Sequence, residues 1–367
     1  MRHRIWRSGS PAAPDRVGPE PFGDANYPAA PYPGRIPACS FVHLDAAGWP
    51  LRPDPSAPCG WRVGPDGADL DDWLASRGGA RLAERVPVLT YGSNRCPSKI
   101  SWLRRELGLA GPVVVLAATL TGAAAVWAAG LRRRDDQRPA VLAAAPGVTE
   151  PHAVWLATPN QVGVLDRCEG RGERYRLARL RSAILRTEDG VRVERPWCYL
   201  GNAAERMPLL VDGAAVRCAD TPQAAARELA GVAGRGDGLT AEPVAGAPHP
   251  DEWPEWLFGY GHLRPGRRGW PLVAPHLAGP PRPARAHGTR FDTGLGYPAM
   301  LPGPRPDVPG ALLPVREPRT LLATVDRYEG PRYRRVRLVA LPDGGEPTLA
   351  WAYLWAADRS ILRPSPR

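Results

Sequence analysis

Lysine is all but missing from this chain: of 48 Lys and Arg residues, only Lys99 is lysine. A sequence so rich in Arg, Ala, Gly and Pro carries the mark of GC-biased coding. Its formal charge of +11 is therefore weak ground for a nucleic-acid partner. Cysteine is scarce as well. The six (Cys39, Cys59, Cys96, Cys168, Cys198 and Cys218) contain no C-x-x-C pair, and no two histidines stand four apart, which removes the common zinc and redox motifs. Six thiols in 367 residues are too few for a disulfide scaffold, and the opening MRHRIWRSGSPAAP has charge but no apolar core of a secretion signal. A cytoplasmic protein with reduced thiols is the expectation. Long apolar runs amount to one, 25 uncharged residues over 107–131 followed by three arginines. Its length fits a membrane helix, but Pro112, Gly122 and Gly130 interrupt it and much of the rest is Ala. We read two buried strands, 113–121 and 123–129, around a turn at Gly122, and no membrane span.

What is abundant is Pro (45) and Gly (40). Proline blocks helix interiors and central strands, so a helical bundle, coiled coil or helical solenoid is excluded, and short strands joined by many turns are favoured. The length predicts two or three domains. Residues 1–66 hold 13 Pro and 7 Gly, a density that argues against regular structure beyond one strand over 39–44. A short helix is expected within 69–85, with Asp69, Asp71 and Asp72 at its positive end. We take residues 1–85 as a partly disordered N-terminal extension. A second Gly- and Pro-rich stretch, 231–251, reads as a linker, preceded by a short helix over 224–229. Its Arg235-Gly-Asp237 tripeptide is a chance occurrence.

The informative feature is an internal repeat. Leu165-Asp-Arg-Cys-Glu-Gly170, followed by Glu173-Arg-Tyr-Arg176, recurs as Val325-Asp-Arg-Tyr-Glu-Gly330, followed by Arg332-Tyr-Arg334. Upstream lie Tyr91-Gly-Ser-Asn94 and Tyr260-Gly-His-Leu263, each entered by an apolar strand; downstream lie Trp197-Cys-Tyr-Leu200 and Trp351-Ala-Tyr-Leu354. Tyr-to-Glu separations are 78 and 69 residues. Three blocks in one order imply two tandem copies of a domain, over 86–230 and 252–367.

These blocks have chemical uses. A glycine at the end of a strand lets successive N–H groups turn inward, a nest for a carboxylate or carbonyl oxygen. Ser93 and Asn94 add side-chain hydrogen bonds, and Arg95 and Lys99 bring positive potential at the start of a helix over 98–107. An ordinary strand-to-helix turn is the plain alternative. Glu169 and Glu329 occupy equivalent places, each followed by Gly and then Tyr. Partial burial there would raise the carboxyl pKa toward neutrality, which suits proton transfer; a surface Glu that caps a turn or pairs with Arg167 or Arg327 is the plain alternative. Cys168 reads as a small buried residue, not a nucleophile.

Tyr91-Gly-Ser-Asn94 with Leu165-Asp-Arg-Cys-Glu-Gly170 and a following Tyr resembles the gamma-glutamylcyclotransferase superfamily. The C-terminal blocks resemble it too, with Gly296-Tyr-Pro-Ala299 and Val308-Pro-Gly310-Ala-Leu-Leu313 in the family's order. The resemblance implies an α+β fold, two tandem domains that are each a small, mostly antiparallel β-barrel with flanking helices. It implies cyclisation of a γ-glutamyl amide to 5-oxoproline with release of the amine, needing no metal or organic cofactor. Glu169 and Glu329 would be the acid/base residues. Tyr91, Gly92, Ser93, Asn94 and Tyr175 would bind substrate in the first copy, and Tyr260, Gly261, His262, Leu263 and Tyr333 in the second. His262-Leu263 in place of Ser-Asn resembles variant loops in branches acting on other γ-glutamyl amines. The expected partner is a small γ-glutamyl compound. A non-catalytic module binding such ligands is the alternative. Nucleic-acid binding would rest on the Arg clusters at 132–134 and 332–337, which have little aromatic interleaving and no recognised motif, so none is expected.

Overall fold

Residues 86–90 form a strand buried along its whole length, and most of the chain is arranged around it and its C-terminal counterpart. The computed structural model describes residues 18–364. In chain order the elements that matter are strands β1 (Phe41–Leu44), β2 (Ala47–Pro53) and β3 (Trp61–Val63), helix α1 (Leu70–Ala75), strand β4 (Val86–Thr90), and helix α2 (Pro97–Leu107). Then come β5 (Val113–Trp127), β6 (Ala140–Ala157), α3 (Pro159–Glu169), β7 (Tyr175–Leu180), β8 (Ile184–Thr187), β9 (Trp197–Gly201), α4 (Gln223–Glu228) and β10 (Ala241–Pro243). The C-terminal part has β11 (Trp256–Gly259), β12 (Arg282–Ala286), β13 (Thr289–Asp292), β14 (Pro298–Leu301), β15 (Val308–Pro314), α5 (Pro318–Glu329), β16 (Tyr333–Pro342) and β17 (Thr348–Trp355).

The C-terminal strands close into a five-stranded barrel in the order β11-β15-β12-β16-β17. All pairs are antiparallel except β17 with β11, where Leu257 faces Trp351. The same circuit runs through the N-terminal half: β4 pairs with β6, β6 with β5, β5 with β8, β7 with β9, and β9 returns parallel to β4 at Trp197 and Val88. Here the strand corresponding to β16 is broken at residues 181–183 into β7 and β8. This half is thus a barrel circuit with one interrupted stave, carrying further strands on its edges, not the small closed barrel expected of both halves. The fold is mixed α+β, with strands predominating.

The helices start and stop where local chemistry dictates. Thr158 caps α3 by accepting from Gln161 N at 3.2 Å, with Pro159 at the first helical position. Gly170 ends the helix at φ 67°, and Gly330 sits at φ 66° after α5. Each helix therefore stops directly after its Glu.

Three expectations are corrected. The described part of the N-terminal extension is folded: β1 pairs with β5 at Phe41 and Val115, and β2 and β3 extend the sheet. Its described prolines fall outside the strands except Pro50 and Pro53 in β2, and buried Phe22, Phe41, Trp61 and Leu74 anchor it. Residues 1–17, where disorder was also expected, lie outside the described residues. The 231–251 segment is not a bare linker, because β10 pairs with β7 at Ala241 and Leu180. Finally, residues 113–127 are one strand, not two around a turn. Gly122 (φ 91°) sits where pairing slips from Thr121–Thr149 to Gly122–Ala145, so the strand continues past it opposite a bulge formed by residues 146–148 of β6. Among the described residues no helix is long and apolar enough to cross a membrane.

Candidate active site

In both halves the three repeated blocks are joined by one hydrogen-bonded chain. The Tyr199 hydroxyl donates to Asp166 Oδ1 at 2.7 Å, while the Tyr91 hydroxyl donates to the Tyr199 carbonyl. In the C-terminal barrel the Tyr353 hydroxyl donates to Asp326 Oδ1 at 2.7 Å, and the Tyr260 hydroxyl to the Tyr353 carbonyl, also at 2.7 Å. The Asp of D-R-x-E-G thus orients the Tyr of W-x-Y-L, whose backbone holds the Tyr of the glycine loop. Burial pushes all four phenols up, so they stay protonated donors. The chain fixes the end of the helix carrying Glu169 or Glu329 against the loop opposite.

The first loop and Glu169 share a cavity of about 910 Å³. Asn94 Nδ2 donates to Glu169 Oε1 at 2.7 Å, and the Asn94 carbonyl accepts from Trp155 Nε1 at 2.8 Å. Burial raises the Glu169 pKa; the Asn94 hydrogen bond and the charges of Lys99, Arg174 and Arg206 oppose that rise. The N–H groups of Gly92 and Ser93 donate to no backbone carbonyl among the described residues. Gly92 is demanded by a close approach: a Cβ there would stand 2.7 Å from the Tyr32 hydroxyl. Tyr175 lines the same cavity, its hydroxyl 3.5 Å from the Ala140 carbonyl. All five residues expected at the first site, with Glu169, are brought together.

The second loop and Glu329 share a cavity of about 630 Å³ lined also by Tyr260, Gly261, His262, Leu263 and Tyr333. Burial alone pushes the Glu329 pKa up to about 7. Leu263 occupies the place of Asn94, and its side chain offers no donor. A Cβ on Gly261 would stand 2.9 Å from Pro298 Cγ, so this glycine too is set by proximity. The Tyr333 hydroxyl donates to the Pro298 carbonyl at 2.8 Å, which ties β16 to the β13–β14 hairpin over the cavity.

The expected alternative of pairing with Arg167 or Arg327 is not seen, since both donate to backbone carbonyls, not to Glu169 or Glu329. Burial pushes the Cys168 thiol up to about 11, which does not suit a thiolate nucleophile. Among the described residues no three His, Cys, Asp or Glu side chains cluster as they would around a metal ion. The Arg clusters do not form open basic faces throughout. Arg337 is buried between the two halves, Arg335 pairs with Asp251 at 2.7 Å, and Arg132 pairs with Asp135 at 2.7 Å.

Sequence reasoning missed Tyr32, Trp102 and Arg206, which line the first cavity, and did not connect Arg132–Arg134 with it. No spacing signal announces Tyr32, which comes from the Pro-rich N-terminal segment. Its hydroxyl accepts from Ala140 N at 3.0 Å and its ring lies 4.7 Å from the Arg132 guanidinium.

Among curated proteins none matches the sequence. Among solved structures, the crystal structure of YkqA from Bacillus subtilis is similar over 67% of this chain and 76% of that one, at 14% identity and a TM-score of 0.25, too low to carry an argument. Residues 257–366 match the family model described as gamma-glutamyl cyclotransferase, AIG2-like. The C-terminal barrel, with Glu329 facing its cavity, is accordingly one domain of the gamma-glutamylcyclotransferase superfamily.

Proposed function

We propose that this protein converts a γ-glutamyl amide to 5-oxoproline and a free amine, at two sites built by tandem copies of one domain. The reading is carried by a single observation: in both halves a glutamate of raised pKa faces a cavity beside a glycine loop, held there by the same Asp–Tyr–Tyr chain. A carboxylate with a pKa near the working pH can take a proton and give it back. Glu169 or Glu329 accepts a proton from the substrate's α-amine as its nitrogen attacks the γ-carbonyl carbon. The ring C–N bond forms, and the γ-oxygen takes up negative charge next to the N–H groups of the loop (Gly92 to Asn94, or Gly261 to Leu263). The carboxylic acid then protonates the leaving nitrogen, the original C–N bond breaks, and 5-oxoproline remains. Because nucleophile and electrophile belong to one molecule, the site needs to hold the head in a folded pose more than to activate it. Tyr175 and Tyr333 wall the two pockets.

The test is 5-oxoproline release from a panel of γ-glutamyl peptides and amines by wild type, Glu169→Gln, Glu329→Gln and the double variant. Release that falls in separable parts, and vanishes in the double variant, supports the reading. A folded wild-type protein that releases none from the whole panel defeats it.

A further inference from the structure

The first cavity contains more positive charge than a glutamyl head can use. Lys99 and Arg206 are both only 7% exposed and both line it. Among the described residues neither has a carboxylate within 4 Å, although nearly every other buried or half-buried arginine in this half has a carboxylate or a set of carbonyls. Lys99 Nζ lies 3.4 Å from the centre of the Trp102 ring and otherwise meets Cys168. Arg206 gives one hydrogen bond, Nη1 to the Glu205 carbonyl at 3.2 Å, and its buried Nε has no partner. At the rim, exposed Arg133 also faces the cavity without an ion pair, whereas Arg132 and Arg134 share Asp135. Arg174 spends its guanidinium on the carbonyls of Cys168 and Glu169. Glu169, when ionised, supplies one negative charge at longer range than an ion pair, and a buried cation without an adjacent anion is costly, so the two buried groups imply further negative charge in the occupied state.

Resting on the cyclisation reading of this site, we propose that the first cavity takes γ-glutamyl amides whose leaving amine carries two carboxylates, the class of a γ-linked glutamyl-glutamate. Such a molecule has three carboxylates, and Lys99, Arg206 and Arg133 are free to receive them, Arg174 being engaged by carbonyls. Lys99 and Arg206 each hold one in the interior, and Arg133 meets the outermost. The second cavity differs in kind. Its arginines, Arg268 and Arg332, are exposed, and its rim is apolar and aromatic, with Leu295 and Tyr328 at the surface.

The experiment uses full-length Glu329→Gln protein, so that only the first site reports, and three compounds of falling charge: γ-glutamyl-glutamate, γ-glutamyl-glutamine and γ-glutamyl-isopropylamide. kcat/KM for 5-oxoproline release is expected to fall about tenfold or more with each carboxylate removed. Adding Arg133→Gln, an exposed change that leaves packing alone, is expected to draw the glutamate-to-glutamine ratio toward one. A flat series with turnover intact overturns the inference and leaves the cyclisation reading standing. Should none of the three be turned over, the cyclisation reading fails at this site instead, and calorimetric titration with the same compounds decides the inference. Tightest binding of γ-glutamyl-glutamate upholds it, and equal or absent binding overturns it.

Discussion

The two cavities are built on the same hydrogen-bonded frame and differ in what surrounds the glutamate. Glu169 receives the Asn94 amide and has three cations near it, whereas Glu329 faces Leu263 and is shifted by burial alone. A frame fixes where a carboxyl stands; its neighbours fix when it is charged. The loop's fourth residue, Asn94 in one half and Leu263 in the other, and the cations Lys99, Arg174 and Arg206 together separate the two pH behaviours.

The largest effect expected is on turnover. Glu169→Gln and Glu329→Gln should each lower 5-oxoproline release at their own site by about a hundredfold to ten-thousandfold, the range for loss of a general acid/base. Equal residual rates in both single variants and the double would end the idea that each site works alone.

Next comes the seam between the halves. Arg337 donates to the carbonyls of Leu82 at 2.9 Å, Ala83 at 3.2 Å and Pro250 at 2.9 Å, with its guanidinium 4.6 Å from the Trp351 ring. In the other half Arg179 lies 4.6 Å from the Trp197 ring and reaches Glu255 at 3.4 Å. Each half thus sends an arginine to the segment that enters the other. Arg337→Leu leaves three carbonyls without their donor and should cost about 3 kcal/mol, at roughly 1 kcal/mol per bond. A fall in the denaturation midpoint measures it, and Arg179→Leu should cost less.

Exchanging the loop residues tests the comparison directly. Only the ionised carboxylate accepts a proton, so the rate at each site rises as pH climbs through its glutamate's pKa. Leu263→Asn should move the acidic limb of the second site below about 7, and Asn94→Leu should move that of the first site upward. pH–rate profiles in the opposite-site Gln background report both; unmoved limbs would sever the loop from the carboxyl.

A smaller effect falls on the frame. Tyr353→Phe removes one hydrogen bond to Asp326 and should cost about 1 kcal/mol, with Tyr199→Phe similar, both read from unfolding curves.

The last is a trend of stability with pH. The folded pKa of Glu329, about 7, lies above its value of roughly 4.3 in an unfolded chain. The native state therefore holds this proton more tightly, and the stabilisation is complete below the unfolded value and lost as pH rises through about 7. Melting temperature measured over that window should drop less in Glu329→Gln than in wild type.

What could be read from sequence followed from contiguity. Tyr91, Asp166, Glu169 and Tyr199, with their C-terminal counterparts, sit in short blocks whose order is kept, so the glycine loops and the glutamates were visible before any coordinates. Gly122 was misread because the trait it signals, freedom at positive φ, serves a bulge as readily as a turn. The Pro-rich N-terminal segment looked unstructured because proline content speaks to local preference, and its strands are held by pairing with a distant partner, β5. Arg206 was invisible for a related reason. Nothing in its neighbourhood distinguishes it from 46 other arginines, and what sets it apart is a missing counter-charge in three dimensions.

Tyr32 has a practical consequence. A fragment trimmed to begin at Val86, where the repeat begins, would retain every motif residue and the intact glutamate. It would also lose the phenol that presses against Gly92 and props Ala140, leaving the first cavity open on one flank. Anyone dissecting this protein by its motifs would then assay a vessel with a missing side, and could mistake a cut made in the wrong place for an inactive domain.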